Sequence, residues 1–234
     1  MNYLIFDVDD TLLDFGFAFH HAQKEIAARL GVEDLEAFRR VDEACGWRAW
    51  KECRLEETQS EEVQREYHRY YREYLRRHYR YLAEEWNKDW DEEALADYFL
   101  EQIARAKRWQ EADTLEVYRR LSERYSLILA TNGLEQVQRE RVSDFLPYTK
   151  RVYISEKMGT IKPAAEVFRR ILQDLQCDAG ACWMIGDSLS NDIRGAKAAG
   201  MQTCFYNPRR KPVPEDGTVD LVIERIGELL QIFR

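Results

Sequence analysis

The feature that most constrains this chain is where its short apolar runs fall. YLIFDV (3–8) stands at the start, and the next such run comes only at SLILAT (126–131). RVYIS (151–155), ACWMIG (181–186), TCFYN (203–207) and DLVI (220–223) then follow closely. Each has the length of a buried strand and is too short and too well punctuated for a helix. Between the later runs lie helical patterns at 113–124, 134–144, 164–174, about 190–199 and 224–232. Strand alternating with helix at this spacing predicts an α/β fold, a parallel sheet with helices on both faces.

Residues from 15 to 107 break the rhythm. They hold almost nothing strand-like and are rich in Glu, Arg, Ala, Leu and Tyr. In the stretch 60–86, Val63, Tyr67, Tyr70, Tyr71, Tyr74, His78 and Leu82 recur at spacings of three and four, which predicts one buried helix face. Stacking tyrosines among arginines also suit a nucleic-acid surface. From 61 to 85, however, six arginines are matched by six glutamates, and such binding needs a net basic face. The segment is therefore expected to be an all-helical insertion whose charges are solvated.

The whole chain carries 35 Lys and Arg against 43 Asp and Glu, a net charge of -8, which argues against a nucleic-acid polymer as partner. With 45% hydrophobic residues it can build a core. No apolar stretch reaches membrane-spanning length, and the aspartates of MNYLIFDVDDTLLDF do not belong in a signal peptide. The five cysteines, Cys45, Cys53, Cys177, Cys182 and Cys204, form no CxxC pair, so neither a zinc site nor a disulfide framework is expected, and the cytoplasm is the expected compartment.

The reactive residue types cluster where the strands end. The first runs into Asp7-Val8-Asp9-Asp10-Thr11, and side chains two apart on a strand share a face. Paired carboxylates repel, and a hard divalent cation such as Mg2+ is what keeps both ionised. Asp-Asp-Thr also suits a helix cap. After SLILA comes Thr131-Asn132-Gly133, whose hydroxyl and turn amide suit phosphate oxygens or an ordinary turn. The loop after RVYIS holds Lys162-Pro163, and ACWMIG leads into Gly186-Asp187-Ser188-Leu189-Ser190-Asn191-Asp192. There Asp187 leaves the strand directly and Asp192 falls in the first helical turn, with Ser190 or Asn191 as candidate helix caps. All four strings sit at the carboxyl edge of the sheet, where open α/β folds bind ligands.

In this order, Asp7/Asp9/Thr11, Thr131, Lys162 and Gly186-Asp187…Asp192, the sequence resembles the haloacid dehalogenase superfamily. The resemblance implies a Rossmann-like core over residues 1–14 and 108–234, and a helical cap over 15–107 that closes over the substrate. Within the superfamily, FDVDDTLLDF, TNGLEQVQRERV, ISEKMGTIKP and GDSLSNDIRGAKAAGMQTCFYNP look like the pyrimidine nucleotide 5′-nucleotidases. That likeness implies Asp7 as nucleophile and Asp9 as acid and base. It also implies Mg2+ held by the Asp7 carboxylate, the Asp9 backbone carbonyl and Asp187, with Asp192 acting through water or in an outer shell. Thr131, the turn amide of Asn132 and Lys162 are then expected to hold the phosphoryl oxygens, with Lys162 also neutralising Asp7 and Thr11 bracing the loop.

The expected partner is a small phosphorylated substrate, with no membrane and no nucleic-acid polymer; the chain is expected to be a monomer or homodimer. A phosphosugar mutase or a phosphatase of sugar phosphates or phosphoglycolate shares the core motifs. A dehalogenase proper needs neither the second carboxylate at Asp9 nor the Gly-Asp…Asp string. A non-catalytic binding module is the alternative from another class, although no expected reactive residue is missing. Phe15, Phe17, Trp47 and Trp50 are candidates for substrate selection, with Trp47 and Trp50 also expected to pack inside the helical region because Trp is usually buried.

Overall fold

The structure is a computed structural model that describes residues 3–234. The chain divides into two compact units: Met1–Phe15 with Arg108–Arg234, and Gly16–Lys107. The first holds six parallel strands: β1 (Tyr3–Phe6), β2 (Ser126–Thr131), β3 (Thr149–Ile154), β4 (Cys182–Gly186), β5 (Gln202–Tyr206) and β6 (Leu221–Ile223). Their order is β3-β2-β1-β4-β5-β6, the doubly wound Rossmann-like arrangement. All four residues of β1 and all six of β2 are buried, as expected of strands covered on both faces.

Alternation along β1 builds two cores. Leu4 and Phe6 join Leu127, Leu129 and Ile185 on one face, packed with Tyr118, Leu121 and Phe145. Tyr3 and Ile5 join Ile128, Ala130 and Met184 on the other, packed with Val167, Phe168 and Ile171. Four helices, α1 (Phe15–Arg29), α2 (Leu35–Glu52), α3 (Glu61–Glu85) and α4 (Glu92–Arg105), follow β1. In the second half come α5 (Thr114–Ser122), α6 (Glu135–Arg141), the single turn α7 (Ser155–Met158), α8 (Ala165–Leu175), α9 (Arg194–Ala198) and α10 (Leu229–Ile232). Tyr118 and Leu121 lie on α5, and Val167, Phe168 and Ile171 on α8, so helices do cover both sheet faces.

Two of the expected helices are shorter than their patterns. The segment 190–199 opens with a wide turn, Leu189–Ile193, in which the Ile193 N–H reaches the Ser188 carbonyl at 3.2 Å, and only then becomes α9. Its cap is Ser188, which accepts from the Asn191 N–H at 3.1 Å, rather than Ser190 or Asn191. The run 224–232 is mostly turn before α10, because Glu228 folds back to accept from the N–H groups of Glu224 and Arg225. The five cysteines are free thiols; Cys177 and Cys182, five apart in sequence, approach to 3.4 Å between sulfurs.

In the helical unit Asp34 and Asp91 cap α2 and α4, accepting from the Ala37 and Ala94 N–H groups at 2.9 and 3.0 Å. Phe38, Leu75, Tyr79, Leu82, Phe99 and Ile103 are buried. The buried face of α3 includes Val63, Tyr74, His78 and Leu82 as expected, but also His68, Leu75 and Tyr79. Tyr70 does not belong to it. Its hydroxyl points outward and donates to Glu62 Oε1 at 2.6 Å. Exposed ion pairs, among them Arg69–Glu66 at 2.7 Å and Arg77–Glu73 at 2.7 Å, line the outer surface and contribute little each, about 0–1 kcal/mol. Trp50 stacks edge-on to Tyr74 at 5.3 Å, whereas Trp47 is 57% exposed and not packed inside. The two stand three apart on a helix, and only one turns to the unit's core. No helix among the described residues is long and apolar enough to cross a membrane.

Candidate active site

The strand order reverses at β1, which pairs with β2 on one side and β4 on the other. The crevice beyond the carboxyl ends at such a point is where this architecture leaves backbone groups and loops available to a ligand. Asp7 is the first residue past β1. Its N–H donates to the Ile185 carbonyl at 2.9 Å, so the backbone is still held by β4 when the carboxylate emerges. Asp187 is the first residue past β4, and its N–H donates to Thr11 Oγ1 at 3.1 Å. Thr11 in turn donates to Asp7 Oδ2 at 3.4 Å, so it braces both strand ends.

Lys162 stands between the acids. Its Nζ donates to Asp7 Oδ1 at 2.7 Å, to Asp192 Oδ1 at 2.6 Å and to the Ala130 carbonyl at 2.8 Å. An ammonium has three donors, and all three are taken. The loop is set by Asn132, whose side-chain carbonyl accepts from the Lys162 N–H and whose amide donates to the Lys162 carbonyl, both at 2.9 Å. The Asn132 side chain thus aims the lysine instead of capping α6. Asp192 comes in from the wide turn after β4, and its Oδ2 accepts from the Ser188 N–H at 3.1 Å. Gly186 makes room for it: a Cβ there would stand 2.4 Å from Asp192 Oδ2.

Asp7, Asp187 and Asp192 each offer a carboxylate oxygen within 4.8 Å of the others. Burial pushes the Asp7 carboxyl well above the ordinary range, and the neighbouring Asp192 charge adds to this while Lys162 opposes it. Asp187 is pushed up to about 6 by burial and then by Asp192. Burial alone would lower the Lys162 ammonium, but Asp192 and Asp7 outweigh it and hold it above its usual value. Two buried carboxylates and a half-buried one against one ammonium leave the cluster short of positive charge. An all-oxygen donor set with that deficit fits Mg2+, a hard cation that prefers carboxylate ligands.

The side chain of Asp9 lies apart from this cluster. Its Oδ1 accepts from Arg141 Nε at 3.0 Å and Nη2 at 2.6 Å, and its Oδ2 from Gln138 Nε2 at 2.7 Å. Thr131 is buried, and its hydroxyl accepts from the same Gln138 amide at 3.0 Å. Asp10 adopts a left-handed backbone (φ 62°) and accepts from the Phe15 N–H at 3.1 Å, so it caps α1. Gln138 and Arg141 were not among the residues the sequence singles out. In QVQRERV they read as members of an exposed charged helix, and the one available signal is their spacing of three directly after Thr131-Asn132-Gly133.

Fold and site define an α/β enzyme with its reactive groups gathered at the switch point of a parallel sheet. A family model described as haloacid dehalogenase-like hydrolase matches residues 1–200, and the chain belongs to that family. It is 31% identical over 214 residues, 88% of this chain and 84% of the other, to the pyrimidine 5′-nucleotidase PynA of Streptococcus pneumoniae. It is 30% identical over 225 residues, 91% of this chain and 87% of the other, to the HAD-hydrolase YfnB of Bacillus subtilis. The crystal structure of YfnB bound to magnesium superposes with a TM-score of 0.78 at 26% identity, covering 100% of this chain and 98% of that one. A 2-haloacid dehalogenase from Pseudomonas syringae shares the fold, with a TM-score of 0.70 at 22% identity over 99% of this chain and 97% of the other.

Proposed function

We propose that this chain is a Mg2+-dependent phosphomonoesterase that works through a phosphorylated Asp7, with a pyrimidine nucleoside 5′-monophosphate as substrate. The observation that carries the reading is the buried Asp7 carboxylate at the switch point, salt-bridged to Lys162 at 2.7 Å with Asp187 and Asp192 beside it. That arrangement is out of place in a packing role, because unneutralised buried carboxylates are costly. The substrate class rests on the likeness to PynA over most of both chains.

A carboxylate oxygen of Asp7 attacks phosphorus in line with the ester oxygen. The P–O bond to the leaving group breaks, and Asp9 gives its proton to the departing alkoxide. A water then attacks the phosphorus of the aspartyl phosphate, the bond to Asp7 breaks, and Asp9 takes the water's proton; inorganic phosphate is released. Lys162 lowers the repulsion between the Asp7 anion and an anionic substrate, and with Thr131 and the turn amide of Asn132 it lines the side where phosphoryl oxygens are held. Asp7, Asp187 and the Asp9 backbone carbonyl are the groups that would hold Mg2+, with Asp192 acting through water or in an outer shell; when bound, the ion would supply positive charge to the phosphoryl group. Substrate choice is assigned to the helical unit.

The test is phosphate release from a panel of nucleoside monophosphates, sugar phosphates and phosphoglycolate. Asp7→Asn, which keeps the shape and removes the nucleophile, is expected to be inactive, and chelation is expected to abolish turnover until Mg2+ is restored. Wild-type rates in Asp7→Asn overturn the mechanism, and full activity in chelator removes the metal. Preference for phosphoglycolate or a sugar phosphate over dUMP, dTMP and UMP overturns the nucleotide assignment alone.

A further inference from the structure

We propose that Gln138 and Arg141 are positioning residues for Asp9, a two-sided clamp by which α6 sets the acid/base against the phosphate-side turn. The proposal rests on the role given to Asp9 above. Arg141 ends α6 and is only 1% exposed. A buried guanidinium is costly unless its charge and donors are met. Two of its nitrogens converge on Asp9 Oδ1, at 3.0 and 2.6 Å, and the Phe15 ring lies 5.8 Å from its central carbon.

Gln138 stands one helical turn earlier on the same face. Its amide closes on the other oxygen, Asp9 Oδ2, at 2.7 Å, and the same nitrogen lies 3.0 Å from Thr131 Oγ1 and 3.0 Å from the Asn132 carbonyl. One buried amide therefore links the acid/base carboxylate to the turn that follows β2. Gly133 is shaped to allow it: a Cβ at that position would stand 2.8 Å from Gln138 Cγ. With a donor on each oxygen, the Asp9 carboxylate has little freedom to rotate or withdraw. Placement is what a proton donor most needs, since an ångström of error costs about a hundredfold in rate.

A residue acting through Asp9 has a signature that a merely structural residue lacks. An ester with a good leaving group, p-nitrophenyl phosphate, needs little help from Asp9 in forming the aspartyl phosphate. An alkyl ester (dUMP, or whichever nucleotide leads the panel) needs its proton. We compare kcat/KM for the two esters in wild type, Asp9→Asn, Arg141→Met, Gln138→Leu and the double variant Asp9→Asn/Arg141→Met. Arg141→Met and Gln138→Leu are each expected to lose at least about tenfold more on the alkyl ester than on the aryl ester. The double variant is expected to fall no further than Asp9→Asn alone, the mark of a shared role. Equal losses on both esters, or additive losses in the double variant, overturn the clamp. If Arg141→Met fails to fold, the ester ratio in Gln138→Leu decides by the same criterion. Unimpaired Asp7→Asn overturns the underlying reaction instead, so the two failures are told apart.

Discussion

Asp7 and Asp192 flank Lys162 with the half-buried Asp187 beside them, and the raised pKa of Asp187 follows from its burial and the nearby Asp192 charge. Its carboxyl, pushed up to about 6 in the fold, binds a proton more tightly folded than unfolded, where the ordinary value is about 3.9. The stabilisation from that proton is complete below about pH 3.9 and is lost as pH rises through about 6. In metal-free protein the melting temperature is therefore expected to fall between pH 5 and 7 more steeply in wild type than in Asp187→Asn. If the cluster holds Mg2+ as proposed, added Mg2+ at pH 7 is expected to raise the melting temperature, since a ligand of the folded arrangement alone stabilises it, and to raise it less in Asp187→Asn. A wild-type slope equal to that of the variant contradicts this account. Asp7 and Asp187 could be read from the sequence because each directly follows an apolar run, Lys162 because it precedes a proline, and Asp192 because it stands five residues past Asp187 at the start of a helical pattern. Arg141 could not: an arginine among glutamates looks solvated until the strands around it are in place.

At the scale of elements, the six strands were legible because apolar runs of four to six residues, punctuated at both ends, are too short for helices. What lay beyond periodicity was the turn after β4. Its widened form follows from Ser188, whose hydroxyl, carbonyl and N–H are all engaged by the turn, and no spacing of apolar residues encodes that. The same turn makes Gly186 indispensable. Gly186→Ala puts a methyl group 2.4 Å from Asp192 Oδ2, in a carboxylate already held by the Lys162 ammonium on one oxygen and the Ser188 N–H on the other. The variant is expected to fold yet to lose Mg2+ affinity by about 10–100-fold, measured by the Mg2+ dependence of the melting curve. Unchanged affinity would show that Asp192 is not part of the ion's surroundings. Helix α3 teaches the converse lesson. Its tyrosines mark a helix correctly but not which ones turn inward, since Tyr70 finds Glu62 on the outer surface while Tyr79 is buried.

For the molecule as a whole, burial decides what a large side chain contributes to stability. Phe6 lies in the main core and is 1% exposed, so Phe6→Ala is expected to cost about 3–5 kcal/mol in denaturant unfolding. Trp47, though as large, is 57% exposed, and Trp47→Ala is expected to stay within about 0.5 kcal/mol of wild type. A comparable loss from Trp47→Ala would mean that this ring is covered in solution. The interruption of the sheet after β1 has a further consequence, for the history of the chain. Tyr3 has no strand partner until Ser126 and Cys182 have been made. An emerging apolar strand must therefore wait, unpaired, while the ribosome delivers an entire helical unit. Contacts so far apart in sequence close slowly, and exposed strand edges invite association with other chains. The four helices after β1 contact mainly one another, whereas Asp187 can meet Asp7 only once β4 has paired with β1.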